Sequence, residues 1–244
     1  MRAKTAVVVA AAVAGLLMAG EAKASVAYDA SLAAPGTYFG TGNAGTTNWT
    51  TDTEGNVEVG LNAILRYVGP ITPTPTNSAT YYVPLGGSPP GHTGSFWGFD
   101  FSFNGLATGS GTAVTLNEIT TKLTMTDVAN HTTGSFDASL IPDNDKYGPH
   151  GKDSASDSTA TQYSFQNSET LSFGSVATAL GDPGFDPFQN DTYHFTFSVM
   201  EGDTLLASVS DTVIAGTGVP EPATLSVLAL GCVGLLGVRR RRAA

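Results

Sequence analysis

The stretch Trp97–Phe103, WGFDFSF, constrains the fold of this chain more than any other. Aromatic side chains recur in it at every second position, with Gly, Asp and Ser between them. Because successive side chains of a strand point to opposite faces, this pattern predicts a β-strand with one buried aromatic face. Tyr193–Val199 repeats the alternation, and Glu201-Gly202-Asp203 after it has the composition of a hairpin turn.

Further β-prone runs fill the rest of the chain, and Gly and Pro separate them. They are Asn56–Val68, Ala79–Leu85, Val114–Val128, Thr161–Phe173 and Leu205–Ile214. Amphipathic helical patterns are scarce among these runs. We therefore predict an all-β fold, an antiparallel β-sandwich of jelly-roll-like type, as one ectodomain over residues 25–218.

The N-terminus has the three parts of a secretory signal peptide. Basic residues at Arg2 and Lys4 precede the apolar run Thr5–Gly20, and the small-residue pattern Ala22-Lys23-Ala24 follows. This pattern predicts export by Sec-type machinery, with cleavage between Ala24 and Ser25 and residues 1–24 removed.

The C-terminus reads as a short membrane anchor. Residues 223–238 carry no charge, and as a helix they would span about 24 Å at ~1.5 Å per residue, which predicts a transmembrane helix that is shorter than most. The basic stop that follows, Arg239, Arg240, Arg241 and Arg242, is expected to stay in the cytoplasm. Pro220 and Pro222 cannot lie inside that helix, so an extended segment is expected before it.

The C-terminal segment resembles the PEP-CTERM sorting signal of Gram-negative bacteria. It has the three parts of that signal in order: Val219-Pro220-Glu221-Pro222, a predicted Gly/Leu-rich helix and four arginines. The resemblance covers residues 219–244. It implies that an exosortase, a membrane-embedded transpeptidase, processes an inner-membrane-anchored precursor. The mature protein is then expected at the cell surface or in the extracellular matrix, where such proteins accompany exopolysaccharide and biofilm.

The exported body is strongly acidic and contains no cysteine. Four basic and nineteen acidic residues lie between Ser25 and Val219, and Cys232 lies in the tail. Such a charge balance disfavours nucleic acid as a partner, and the body can form no disulfide. The histidines have no metalloprotease spacing, and there is no nucleophile elbow, so no enzymatic activity is predicted. Paired carboxylates acting on glycosidic bonds stay open, because only geometry would reveal them.

Two Asp-rich segments are candidate Ca²⁺ sites. Asp143 and Asp145 stand at the first and third places of a loop with Gly at the sixth, although its fifth and twelfth places depart from an EF-hand. Asp182, Asp186 and Asp191 could also gather around a hard cation. The alternative is that these aspartates only build Asx-turns, as Asp commonly does in loops.

Two functions remain for the body. One is a structural or adhesive component of the surface matrix, associated with exopolysaccharide. The other is a carbohydrate-binding module, calcium-stabilised in one version, with an aromatic platform from exposed Trp49, Trp97, Tyr81 or Tyr82. The alternation around Trp97 favours the core for that side chain. Solvent exposure of these rings discriminates between the two functions.

Overall fold

The computed structural model describes residues 25–33, 39–40 and 45–216. The predicted signal peptide, the sorting motif, the transmembrane helix and the basic stop lie outside these residues, as do their predicted boundaries apart from the backbone of Ser25. Within the described residues, no helix has the length and apolar character needed to cross a bilayer.

The described part of the chain contains thirteen strands and one short α-helix, joined by turns and loops. The strands are β1 (Ser25–Ala30), β2 (Trp49–Glu54), β3 (Val57–Leu65), β4 (Gly69–Pro70), β5 (Thr80–Val83), β6 (Trp97–Asn104), β7 (Thr120–Asp127), β8 (Thr132–Phe136), β9 (Asp145–Gly148), β10 (Gly151–Lys152), β11 (Ser164–Glu169), β12 (Asp191–Glu201) and β13 (Thr204–Ala215). Helix α1 is Gly174–Ala179, and a 3-10 turn forms at Ala138–Leu140.

The strands form two sheets. The large sheet has the order β1-β2-β3-β6-β11-β9-β10, with β4 paired to β3, and the small sheet has the order β5-β13-β12-β7-β8. All pairs are antiparallel except β5 with β13, which run parallel. The prediction of two packed, mainly antiparallel sheets with almost no helix is confirmed, and the jelly-roll connectivity stays a prediction.

The core lies between the sheets and consists mainly of aromatic rings from the central strands. Phe99 and Phe101 of β6 face Phe195 and Phe197 of β12, with ring centroids 4.7 Å apart for Phe99–Phe195 and 6.0 Å for Phe101–Phe197. Phe165 of β11 joins them, and all five rings are at most 1% exposed. The two alternating aromatic faces therefore pack against each other, as their sequence pattern predicts.

Part of the outer face of the large sheet is also covered, by Leu32 just after β1 and by Trp49 at the start of β2. Leu32 and Trp49 pack there with Ile64 of β3. Gly60 of β3 makes this possible, because a Cβ at that position would lie 3.0 Å from both Leu32 and Trp49. The backbone N–H of Ala33 donates to the carboxylate of Glu58 at 2.7 Å. A polar side chain of β3 thus holds the residues just after β1 against the outer face.

The predicted strands exist, but several are shorter than predicted. Strand β7 begins at Thr120 because the preceding residues turn: Glu118 accepts a hydrogen bond from the backbone N–H of Thr115 at 2.7 Å. A turn in which the Phe173 N–H donates to the Thr170 carbonyl follows β11. The predicted hairpin is confirmed, since Gly202 has a φ of 57° between β12 and β13.

Candidate functional site

A cavity of about 470 Å³ opens at the edge of the sandwich, where the ends of β8 and β11 approach α1. Its walls are mainly apolar, with three carboxylates among them. The lining residues are Phe136, Asp137, Leu140, Ile141, Pro142, Asp143, Glu169, Phe173, Ser175, Val176 and Ala179. Concave apolar sites with a few convergent polar groups are the usual places where proteins hold small molecules or sugar units.

The polar floor of this cavity comes from the inward-facing side of β11. Phe165, Asn167 and Glu169 pair with Phe103, Phe101 and Phe99 of β6, so all three share the face that looks into the sandwich. Phe165 fills the core, whereas Asn167 and Glu169 extend the same row to the open edge. The alternation of one strand therefore places the carboxyl group of Glu169 at the cavity, with the amide of Asn167 buried beside it.

Asn167 joins two carboxylates of the cavity. Its Nδ2 donates to Oδ1 of Asp143 at 3.1 Å and to Oε1 of Glu169 at 3.3 Å. Asp143 is exposed at the rim, whereas Glu169 is 6% exposed. Burial, and then the negative charge of Asp143, raise the pKa of Glu169 to about 7. Near neutral pH, Glu169 can therefore donate as well as accept a hydrogen bond.

We expect this raised pKa to make the body less stable as pH rises. The folded state holds the Glu169 proton up to about pH 7, whereas an ordinary Glu releases it near 4.5. This contribution to stability is therefore complete below pH 4.5 and is lost as pH rises through 7. Glutamine cannot lose a proton, so Glu169→Gln should not lose this stability. The free energy of unfolding of the variant minus that of the wild type should therefore rise between pH 4 and pH 8, by up to about 3 kcal/mol.

Urea denaturation at several pH values measures this difference. Glu118→Gln is the control, because Glu118 is exposed and its pKa is lowered by hydrogen bonds from Thr115. That variant should gain no stability at high pH. If the free energy of unfolding of Glu169→Gln changed with pH in the same way as that of the wild type, the buried position of Glu169 would be contradicted.

Of the predicted calcium ligands, Asp182 and Asp191 come together and Asp186 does not. Both are buried, and this burial, together with the nearby negative charge of Asp127, the last residue of β7, raises the pKa of each. Asp186 is exposed, and its Oδ1 accepts from the N–H of Phe188 at 2.9 Å, which is an Asx-turn. Sequence reasoning missed Asp127, although it occupies the buried phase of the alternation in β7.

The first Asp-rich segment gives its two aspartates different partners. Asp143 lies at the cavity with Asn167, whereas Asp145 begins β9 and forms an ion pair with Lys152 at 2.9 Å. Across residues 25–33, 39–40 and 45–216, no three His, Cys, Asp or Glu side chains form a ready-made metal site. Calcium at either segment stays a prediction.

The proposed aromatic platform is wrong for three of its four rings. Trp49 and Tyr81 are completely buried, and Trp97 is 1% exposed, as its place in the alternation favours. Trp49 packs on the outer face of the large sheet, and Tyr81 donates to the Asn48 carbonyl at 2.9 Å. Tyr82 is half-buried. Among the described Phe, Trp and Tyr residues, the exposed rings are instead Tyr28, Tyr67, Phe173 and Phe188, of which Phe173 lines the cavity.

Comparison with known proteins places one segment of the chain. Residues 218–242 match the model of the PEP-CTERM protein-sorting motif. Neither a curated protein sequence nor a solved structure shows a significant match to the chain. The matched segment confirms the sequence prediction for the tail. It marks the chain as an exported protein of the kind that Gram-negative bacteria sort through an exosortase.

Proposed function

We propose that this chain is a surface or matrix protein whose β-sandwich binds extracellular polysaccharide in the cavity between β8, β11 and α1. The carboxylate–amide–carboxylate row of Asp143, Asn167 and Glu169 carries the proposal. Sugars present hydroxyl groups that donate and accept together with an apolar ring face. Asp143 and Glu169 line the cavity and supply acceptors, and Glu169 supplies a donor when it is protonated. Phe136 and Phe173 supply apolar wall, while Asn167 positions the two carboxyl groups from behind.

The charge of the site limits the class of sugar. Asp143 and Glu169 contribute carboxylates, and the body carries nineteen acidic against four basic residues. A uronic-acid polymer would be repelled by this surface, whereas an amino sugar would be attracted. The proposed ligand is therefore a neutral or amino-sugar polysaccharide, which is bound without being hydrolysed. Secretion through the sorting pathway brings the body to the place where such polymers accumulate.

Binding to oligosaccharides of three charge types tests the proposal. We expect calorimetry to show that the mature protein binds chitosan or neutral β-glucan oligosaccharides and does not bind alginate oligosaccharides. Phe173→Ala and Asp143→Asn each remove one side of the site and should weaken binding at least tenfold, or about 1.4 kcal/mol. Both residues are exposed, so the fold should tolerate the changes.

Matched variants outside the cavity give the control. Phe188→Ala removes an exposed ring that the cavity does not use, and Asp186→Asn removes an exposed carboxylate. Both should bind like the wild type. Equal losses in all four variants, preference for alginate, or release of new reducing ends from the bound sugar would each overturn the proposal.

A further inference from the structure

A row of exposed rings continues from the rim of the cavity onto the neighbouring surface. Phe173 lines the cavity, and the guanidinium carbon of Arg66 lies 5.5 Å from the centroid of its ring. The same carbon lies 5.1 Å from the centroid of the Tyr67 ring. Tyr67 in turn stacks on His92, with centroids 3.7 Å apart and planes inclined by 20°. Both Phe173 and Tyr67 therefore contact one guanidinium group, and a chain of a few sugar units can reach from one ring to the other.

Arg66 holds the two rings in place without an acidic partner. Its Nη1 donates to the carbonyls of Thr93 and Ser95 at 3.1 and 3.2 Å, and its Nη2 donates to the Tyr67 hydroxyl at 3.0 Å. Neither of the two ion pairs among the described residues includes this cation. Guanidinium groups stack readily on aromatic rings. Arg66 is therefore a positioning residue that joins the two rings.

The loop that carries His92 is tied to the residue before Phe173. Gly94 has a φ of 88°, and a Cβ there would lie 2.7 Å from the Cβ of Ser172, so glycine allows the two segments to approach this closely. The N–H of Ser95 donates to the hydroxyl of Ser172 at 2.5 Å. This contact joins the loop after β5 to the turn after β11, so the rings keep fixed relative positions.

Tyr67 occupies a strained backbone position. Its φ is 67°, in the left-handed region that glycine adopts easily and a bulky side chain rarely adopts. Its side chain is also 44% exposed, so the strain is not compensated by burial of the ring in the core. Strain of this kind is typical of functional sites, where a side chain is needed at a place that the local fold would give to glycine.

We propose that a polysaccharide chain bound in the cavity continues across Phe173 onto Tyr67, which forms a second subsite where a sugar ring stacks. This inference rests on the proposed function of the cavity. His92 covers one face of the Tyr67 ring, and the exposure of Tyr67 leaves ring surface open to the apolar face of a sugar. Affinity should therefore grow with the length of the oligosaccharide, because two linked contacts bind more tightly than one.

Calorimetry with short and long oligosaccharides of one composition tests the second subsite on the full-length chain in detergent. We expect a chitosan or neutral β-glucan hexasaccharide to bind at least about tenfold more tightly than the disaccharide of the same kind. In Tyr67→Gly most of this advantage should be lost, while the disaccharide binds as it does to the wild type. The melting temperature of this variant should not fall, since glycine adopts the left-handed conformation without strain.

Tyr67→Phe and Tyr28→Ala are the matched controls. Phenylalanine keeps the ring, so Tyr67→Phe should keep most of the advantage of the hexasaccharide. Tyr28 is 42% exposed and lies on β1, which β2, β3 and β6 separate from β11, so its loss should change neither affinity.

The outcomes separate the second subsite from the cavity. Equal affinity for the disaccharide and the hexasaccharide would overturn the second subsite and leave the cavity as the sugar site. A hexasaccharide advantage that Tyr67→Gly retains would also overturn it, because the additional contacts would then lie elsewhere. If neither sugar bound, the proposed function would fall together with this inference.

Discussion

A chain in which Pro220, Glu221 and Pro222 are replaced by alanine is expected to accumulate as uncut precursor in the membrane fraction. The three residues lie in the segment that matches the sorting motif and therefore in the part that an exosortase handles. Proline lacks the N–H that a helix needs and would stop the predicted transmembrane helix from extending toward the body, whereas alanine is the best helix former. The replacement would extend the helix through the processing segment. Mature protein should fall at least tenfold in a strain with a working exosortase.

Mass spectrometry of surface material and of membranes measures both forms. A variant with alanine at Pro89 and Pro90 controls for the loss of two prolines, since they lie in a loop more than a hundred residues before the tail in the sequence. That variant should be processed like the wild type. Surface protein that still carries its residues through Arg242 would contradict the sorting function of the tail.

Replacing Phe197 with alanine should destabilise the core strongly. Its ring is fully buried and contacts Phe101 and Phe165, with centroids 6.0 and 6.2 Å away. Deleting a buried phenylalanine costs about 3–5 kcal/mol, because the transfer free energy is lost and a cavity remains. Domains of this size are stable by about 5–15 kcal/mol, so the melting temperature should fall by about 10 °C.

Thermal melting followed by circular dichroism checks this expectation. Phe188→Ala makes the same deletion at a side chain that is 67% exposed, and it should change stability by less than about 0.5 kcal/mol. If the two variants had the same melting temperature, the aromatic faces of β6 and β12 would not form the core.

The alternation of buried and exposed side chains explains which strands could be predicted. Strands β6, β12 and β13 are long and alternate clearly, and each was found with boundaries close to those observed. Strand β2 carries little alternation because Trp49–Asp52 are buried on both faces of the large sheet, and β1 carries little because residues 26–29 are exposed on both faces. Strands β9 and β10 have at most four residues, too few for a period to be visible.

The candidate sites were less predictable, because they depend on which distant segments meet. Proximity in sequence suggested that Asp186 belongs with Asp182 and Asp191, whereas the fold replaces it with Asp127 from β7. A usable signal was present. Asp127 and Glu169 are acids at positions where the alternation of their strands expects an apolar side chain, and both are buried. An acid in the buried phase of a strand is therefore a better guide to a site than an acid-rich loop.

Strand β13 ends at Ala215, and the sorting motif begins at residue 218, so only residues 216 and 217 join the folded body to the processed segment. Two residues reach about 7 Å at most. The N–H of Gly216 is itself bonded to the carbonyl of Val83 at 3.0 Å, which shortens the free tether further. A transpeptidase that cuts the tail must therefore work with the sandwich pressed against it, or wait for the end of β13 to detach from Asp191. A few flexible residues inserted at this point would relieve that crowding. In the unaltered chain, the rate at which the enzyme cuts the tail would therefore report how firmly the end of β13 is held.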